Sequence, residues 1–171
     1  MEFKGMTLAL PVDDTEMRPY LEAAGRGALA LRSCGGCGLL RFPPGPGCPW
    51  CSCEDSHWEE VAGRGSIYSY EIVAHAVQPG FAQEVPYPVV LVELDVQRGI
   101  PSSDEGIRIM GNLVGADFRP ETEDRVAINA RVEAVFQPIG EGLALPQWRL
   151  SDDEPRQELW RLDRVAPDQG G

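Results

Sequence analysis

Four cysteines have the spacing of a metal site. Cys34 and Cys37 are separated by two residues, as are Cys48 and Cys51, and ten residues lie between the pairs. Each C-x2-C forms a tight turn, and two such turns bring four thiolates into a tetrahedron that suits zinc, at about 2.3 Å per sulfur. The pattern predicts one structural zinc ion held by Cys34, Cys37, Cys48 and Cys51. An iron site of rubredoxin type and unpaired thiols are the alternatives.

A metal held by four protein ligands has no open coordination position, so it would not activate water. Instead it replaces the core that a segment of roughly thirty residues cannot build. Cys53 and His57 lie close by in the sequence, but the regular double turn explains the site without them. We interpret Cys53 as a bystander thiol, and His75 as a structural residue of a predicted strand.

The chain lacks the common signatures of catalysis. It has no Gly-x-Ser-x-Gly motif, no P-loop and no Rossmann glycine pattern, and neither of its two histidines accompanies a convincing nucleophile. Acidic pairs such as Asp152-Asp153 are more typical of a solvated surface than of an acid–base pair. The sequence therefore predicts no catalytic residues in this chain.

The elements around the cysteines indicate a mainly β fold. Residues 1–27 form an extension with a short helix, which runs from caps at Asp13, Asp14 and Thr15 to Ala24. Residues 28–62 form a rubredoxin-like zinc ribbon, with strands in ALALRS, in LLRF and at 57–61. Residues 63–150 contain five β-like runs separated by turn residues, which predicts a five-stranded OB-fold barrel. The runs are GSIYSYEIVAHAV, PYPVVLVELDV, IRIMGNLVG, VAINARVEAVF and LALPQWRL, with a polar loop at 97–106.

Residues 151–171 form an acidic tail. Leu159, Trp160, Leu162 and Val165 would share one side of a short helix in this tail. Such a tail either contacts a partner through its tryptophan or folds back on the barrel, and the sequence leaves both open. The N-terminal helix is interpreted as a packing helix, with partner docking as the alternative.

Charge and hydropathy exclude several classes of protein. The formal net charge is −12, and Lys4 is the only lysine. Because nucleic-acid affinity depends on Lys and Arg contacts to phosphates, this charge disfavours a DNA or RNA binder. No apolar run approaches the ~20 residues of a membrane span, and the N-terminus lacks a convincing secretory signal. Paired cysteines of this kind fit a reducing compartment, so we expect a cytoplasmic protein.

Five segments in a fixed order carry a resemblance to a known family. They are LALRSCGGCGLLRFPPGPGCPWC, WEEVAGRGSIYSY, PYPVVLVELD, GNLVGAD and LPQWRL. Together they resemble the zinc-ribbon plus OB-fold proteins of domain-of-unknown-function family 35, over about residues 13–150. Members of this family look like non-catalytic partners of thiolase-superfamily enzymes: acyl-CoA thiolases, lipid-transfer-protein-like aldolases of steroid side-chain breakdown, and acyltransferases.

The resemblance implies a zinc-binding accessory subunit of a hetero-oligomer in lipid or aromatic degradation, with acyl-CoA at the shared interface. Binding of CoA requires arginines for the phosphates and a stacking face. Arg32, Arg41, Arg64 and Arg108 are the candidates, and Trp50 and Trp58 lie near the ribbon. That these arginines pair with nearby carboxylates is equally open. A stand-alone acyl-CoA-binding protein and a single-stranded nucleic-acid-binding protein are the competing functions.

Overall fold

A computed structural model describes residues 2–7 and 16–162, and these form one short helix and ten strands. The helix α1 spans Arg18–Gly25. The strands are β1 (Glu2–Phe3), β2 (Met6–Thr7), β3 (Leu29–Cys34), β4 (Leu40–Arg41), β5 (Ser56–Val61), β6 (Arg64–Val73), β7 (Tyr87–Leu94), β8 (Arg108–Asn112), β9 (Arg131–Gly140) and β10 (Leu143–Leu150). Within the described ranges, no helix is long and apolar enough to cross a membrane.

Helix α1 confirms the predicted packing helix. Pro19 lies in its first turn, where the missing amide hydrogen costs no hydrogen bond. Tyr20, Leu21 and Ala24 are buried on its inner side, against the ribbon and the last strands of the larger sheet. The predicted caps at 13–15 lie outside the described residues.

The ribbon is a three-stranded antiparallel sheet in the order β4-β3-β5. Its strands confirm the three segments that the sequence predicts. Strand β3 is the central strand, and Leu29, Ala30 and Leu31 on it are buried. Strand β4 has only two residues, so its position depends strongly on the contacts of the loops before and after it.

The second sheet contains five antiparallel strands in the order β10-β9-β6-β7-β8. A parallel bridge between Leu113 and Trp148 brings its two edges together, which gives the strand arrangement of an OB fold. The sequence predicted a closed barrel, but the two edge strands of the described sheet meet at this bridge and not along a continuous ladder. The apolar interior comes from residues that alternate along the strands: Ile67, Val90, Val92, Leu94, Ile109, Leu113, Val132 and Trp148.

Two strand boundaries differ from the prediction. Strand β6 ends at Val73, so His75 lies in an exposed bend rather than in a strand. Strand β9 begins at Arg131, five residues after the predicted start at Val126. Asn129 interrupts that segment, because its φ of +70° is a left-handed conformation that a strand does not accommodate.

The tail is not helical as far as the structure describes it. Trp160 forms an antiparallel bridge with Ile128, and the Asn129 side chain donates a 2.7 Å hydrogen bond to the Glu158 carbonyl. These contacts replace the predicted helix, because the tail satisfies backbone groups of the OB domain instead of its own. Val165 of the predicted apolar side lies outside the described residues.

A buried ion pair joins β9 to the loop after β7. The Arg131 guanidinium is 6% exposed and contacts both carboxylate oxygens of Asp95 and the Ser66 hydroxyl. Hydrogen bonding to Arg131 holds the pKa of Asp95 below its ordinary value of 3.8. A carboxylate with a lowered pKa stabilises the fold at neutral pH, and this stabilisation is lost as the pH falls through its folded-state pKa.

Asp95→Asn should therefore lower the free energy of unfolding by about 2 kcal/mol at pH 7, because it leaves the Arg131 charge unpaired. Since the wild-type protein loses this stabilisation below about pH 4, the difference between the two proteins should shrink there. Urea denaturation of both proteins at pH 7 and at pH 3 measures the difference in their free energies of unfolding at each pH. Asp117→Asn, which removes an exposed ion pair with Arg119, is the control and should change stability by less than ~0.5 kcal/mol. If the stability difference between wild type and Asp95→Asn were as large at pH 3 as at pH 7, the ion pair would not be its cause.

The end of α1 lies directly on the turn between β9 and β10. A Cβ added to Gly25 would lie 1.7 Å from the Gly142 carbonyl oxygen, which is backbone and has little room to move. Gly25→Ala should therefore separate the helix from the sheet and destabilise the protein by about 3 kcal/mol. Gly45→Ala is the matched control, because no atom lies within 4 Å of the added Cβ there. Thermal unfolding of both variants checks this, and equal melting temperatures would refute it.

Candidate metal centre

The four paired cysteines lie at one end of the ribbon sheet. Cys34 is the last residue of β3, Cys37 belongs to the turn that follows, and Cys48 and Cys51 lie in the loop before β5. Cys34 and Cys48 are buried, whereas Cys37 and Cys51 are exposed. The fold thus brings together the four residues that the spacing predicts, and the cluster is accessible from one side.

The distances fit a tetrahedral metal site. All four sulfur atoms lie within 4.8 Å of one another. The Cys34–Cys51 and Cys37–Cys48 sulfur pairs are each 3.6 Å apart. A tetrahedron with metal–sulfur bonds of about 2.3 Å has edges of about 3.8 Å, so an ion of zinc's size fits between these sulfurs. The cluster could hold a metal ion, and zinc as its identity stays a prediction.

Backbone hydrogen bonds set the shape of both turns. In the first, the Gly36 amide donates to the Cys34 sulfur over 3.3 Å, and the Gly38 amide donates to the Cys34 carbonyl over 2.9 Å. In the second, the Ser52 amide donates to the Cys48 carbonyl over 2.9 Å. Gly38 has a φ of +73°, which favours glycine. The Gly36 amide thus stabilises a thiolate at Cys34, and the two bonds to carbonyl oxygens fix the shape of the turns.

Backbone hydrogen bonds and contacts among the sulfurs drive the thiol pKa values apart. The Cys37 amide hydrogen-bonds the Cys34 sulfur and lowers the pKa of that thiol to about 6. At Cys51 the Cys53 amide lowers the pKa, but the contact with the Cys34 sulfur and burial outweigh it and raise the pKa to about 12. Four adjacent thiolates repel one another, so they can all ionise near neutral pH only around a cation.

Cys53 and His57 are not members of the cluster. The Cys53 sulfur lies 3.8 Å from the Asp55 carbonyl, and its side chain packs against Gly36. His57 lies in β5, in register with Ser33. Among the described residues, the four predicted cysteines are the only group that could hold a metal ion.

Two of the four candidate arginines are neighbours on the ribbon. Arg32 of β3 and Arg41 of β4 are cross-strand partners, and Trp58 of β5 faces Arg32 from the other side. Arg32 lies 5.5 Å from the Trp58 ring centroid and 3.5 Å from a Glu16 carboxylate oxygen. Arg41 is buried and donates to the Gly45 carbonyl over 2.8 Å and to the Ser56 hydroxyl over 3.1 Å. The Arg32 Nε and Arg41 Nη1 atoms are buried and have no hydrogen-bond partner.

The other two candidates lie on the OB domain and have carboxylate partners. Arg108 donates to a Glu93 oxygen over 2.8 Å and stacks on the Tyr68 ring, with 4.0 Å between the guanidinium carbon and the ring centroid. Arg64 lies 3.6 Å from an Asp153 oxygen at the surface. The four arginines therefore do not form a single cluster.

Sequence reasoning missed the residue that joins the ribbon to the OB domain. The Gln97 amide accepts a 2.6 Å hydrogen bond from the Leu40 nitrogen and donates a 2.9 Å bond to the Leu40 carbonyl. Its side chain thereby acts as a second hydrogen-bonding partner, besides β3, for the two-residue strand β4. Its loop was predicted only as a polar interruption, because a glutamine in such a loop carries no signal for a long-range contact.

Comparisons with known proteins agree with this architecture. Residues 58–137 match the family model described as ChsH2, C-terminal OB-fold domain. A DUF35 domain-containing scaffold protein of Methanocaldococcus jannaschii is 36% identical over 110 residues, which are 63% of this chain and 67% of that protein. A probable enoyl-CoA hydratase alpha subunit of Thermomonospora curvata is 37% identical over 130 residues, or 76% of this chain. The match spans only 36% of that relative's length.

A solved structure extends the similarity to three dimensions. A chain of the structure described as "Ltp2-ChsH2(DUF35) aldolase" has a TM-score of 0.65 and 34% sequence identity. The match covers 84% of the present chain and 98% of that one. Since the similarity spans both the ribbon and the OB domain and two thirds of the archaeal protein, the chain belongs to the DUF35 family.

Proposed function

We propose that this chain is a non-catalytic, zinc-binding accessory subunit that docks on a thiolase-superfamily enzyme acting on acyl-CoA. The observation that carries the proposal is the similarity, over 98% of its length, to a chain of an aldolase complex. The names of the relatives, a scaffold protein and a hydratase alpha subunit, also describe parts of assemblies. The partner would be a thiolase, an aldolase or an acyltransferase. The two chains together would form a cytoplasmic hetero-oligomer.

The metal site supports an architectural role. Four cysteine ligands would fill a tetrahedral ion and leave no position for water or substrate. Zinc would hold the loops at 34–37 and 48–51 together, so its role in this chain would be structural. The nucleophile and base of the reaction would belong to the partner.

If CoA phosphates contact this chain, we place them at Arg32 and Arg41. These two residues are cross-strand partners, each has a buried N–H group without a hydrogen-bond partner, and Trp58 offers an aromatic face beside Arg32. Arg64, Arg108 and Arg32 all have a carboxylate neighbour, so the preference for Arg32 and Arg41 depends on their N–H groups that lack a hydrogen-bond partner. These carboxylate neighbours, together with the net charge of −12, disfavour the single-stranded nucleic-acid hypothesis.

Co-expression with the thiolase- or aldolase-type enzyme encoded beside its gene tests the proposal. We expect a stable complex on size-exclusion chromatography and an enzyme activity that depends on this chain. Isothermal titration with acyl-CoA serves as the comparison, and the isolated chain should bind it weakly or not at all. Tight binding without the partner would favour a stand-alone acyl-CoA-binding protein. Failure to associate with such an enzyme would end the accessory-subunit proposal.

Cys48→Ser tests the metal. Elemental analysis should find one zinc per wild-type chain, and the variant should lose it, because three thiolates and a hydroxyl bind the ion poorly. The ribbon should unfold and partner docking should fall with it. Cys53→Ser, which changes a thiol outside the cluster, is the control and should retain one zinc and full docking. Full docking by a metal-free Cys48→Ser protein would contradict the architectural role.

A further inference from the structure

Half of strand β6 has an open edge. Strand β7 pairs with β6 along its whole length, but β9 pairs with it only from Arg64 to Ser66. Ile67 adds one hydrogen bond with Ala130 and one with Asn129, after which the two strands diverge. Within the described part of the chain, nothing pairs with the backbone of residues 69–73 on this side. An open strand edge is a template for another extended segment.

The tail forms the opposite wall of this opening. Trp160 is held by its bridge to Ile128, and the next residues approach β6 closely enough for the Leu162 amide to donate to the Tyr70 hydroxyl over 3.2 Å. The result is a slot of about 410 Å³, which we call the tail slot. Its main lining residues are Tyr70, Glu71, Ile72, Ile128, Trp160 and Leu162.

The tail slot leaves large apolar side chains in contact with water. Trp160 is 54% exposed and Leu162 is 67% exposed. Both belong to a segment that is fixed to the OB domain, since the Arg161 Nε donates to the Val126 carbonyl over 3.1 Å. Because the backbone around these side chains is fastened while the side chains themselves stay exposed, they form a preformed apolar surface.

The rim of the tail slot is acidic. Glu71 is exposed on β6 and has no ion-pair partner among the described residues, and Glu123 and Asp124 lie at the other end. Arg125 and Arg161 lie near enough to Asp124 to attract its carboxylate, but the acidic groups here, with Glu121, outnumber these two cations. Arg125 pairs with Glu121 at 2.8 Å, and Arg161 is directed at a backbone carbonyl. An apolar slot with an acidic rim attracts an apolar group that has cationic flanks.

The negative charge of the rim favours some ligands of the tail slot over others. The phosphates of CoA or of a nucleic acid would be repelled, as would a second copy of a chain with a net charge of −12. The chain's own last residues, DRVAPDQGG, carry more acidic than basic groups and only one valine or larger aliphatic side chain, so they complement the slot poorly. A segment of another protein, apolar and flanked by Lys or Arg, complements both features.

We propose that an extended apolar segment of the partner enzyme, flanked by basic residues, adds to the open edge of β6 in the tail slot. The inference rests on the proposed function and names the surface that carries the docking. Backbone hydrogen bonds along residues 69–73 would supply affinity, and Trp160 and Leu162 would cover the apolar side chains of the incoming segment.

The test uses the full chain and the co-expressed partner enzyme. Leu162→Asp should weaken the complex at least about tenfold, because it places a charge in the apolar contact. Val77→Asp is the matched control: Val77 is 92% exposed and does not line the tail slot, so its change should have less than about a twofold effect. Both variants should keep the wild-type melting temperature and zinc content. A photo-cross-linking residue at position 162 should capture a partner segment that is apolar between Lys or Arg residues.

Two synthetic peptides test the slot without the partner. Each alternates valine and threonine, and one has lysines at both ends where the other has glutamates. The lysine peptide should change the fluorescence of Trp160, with an affinity that falls as salt is added, and the glutamate peptide should not. The Trp160→Phe variant identifies the reporting tryptophan among the four in the chain.

The outcomes separate the inference from the function on which it rests. A complex that forms normally with Leu162→Asp, and shows no cross-link from position 162, overturns the tail slot and leaves the accessory role intact. Binding of the lysine peptide without any complex supports the slot and contradicts the partner class. Quenching of Trp160 by acyl-CoA, or self-association that Leu162→Asp abolishes, overturns the choice of occupant.

Discussion

The close approach of four sulfur atoms is the constraint on which the rest of the ribbon depends. Strand β4 has two residues and little apolar surface, so it cannot hold its place by burial alone. The turns at 34–37 and 48–51 bring the sulfurs within 4.8 Å, a distance that four ionised thiolates tolerate only around a cation. A metal at this point would fix both loops, and with them the row formed by Arg41, Arg32 and Trp58 across the sheet.

The ribbon and the OB domain are joined by specific contacts rather than by a flexible linker. Gln97 pairs with both backbone groups of Leu40, and Gly25 lets the end of α1 approach the β9–β10 turn. The two modules therefore present their surfaces in a fixed relation. A docking protein benefits from this arrangement, because surfaces that are already positioned lose less entropy on binding.

Charge is distributed so that most cations are already paired. Arg131, Arg108, Arg64 and Arg32 each contact a carboxylate, and Arg32 and Arg41 of the ribbon also keep a buried N–H group without a hydrogen-bond partner. On the OB domain the conspicuous free surface is apolar with an acidic rim. This division suits a protein that contacts another protein through its OB domain, and it is unsuited to a phosphate backbone lying across the same face.

The cysteine spacing alone predicted the cluster, because a C-x2-C turn is a local structure whose shape its own residues dictate. Runs of β-forming residues between turn residues likewise predicted the strands of the OB domain. Local pattern could not place the ends of β6 and β9, the course of the tail, or the role of Gln97. Those features depend on which distant backbone groups need partners: Trp160 pairs with Ile128 instead of forming a helical turn, and Gln97 pairs with Leu40. Such contacts arise only when the chain has folded and remote segments compete for the same hydrogen bonds.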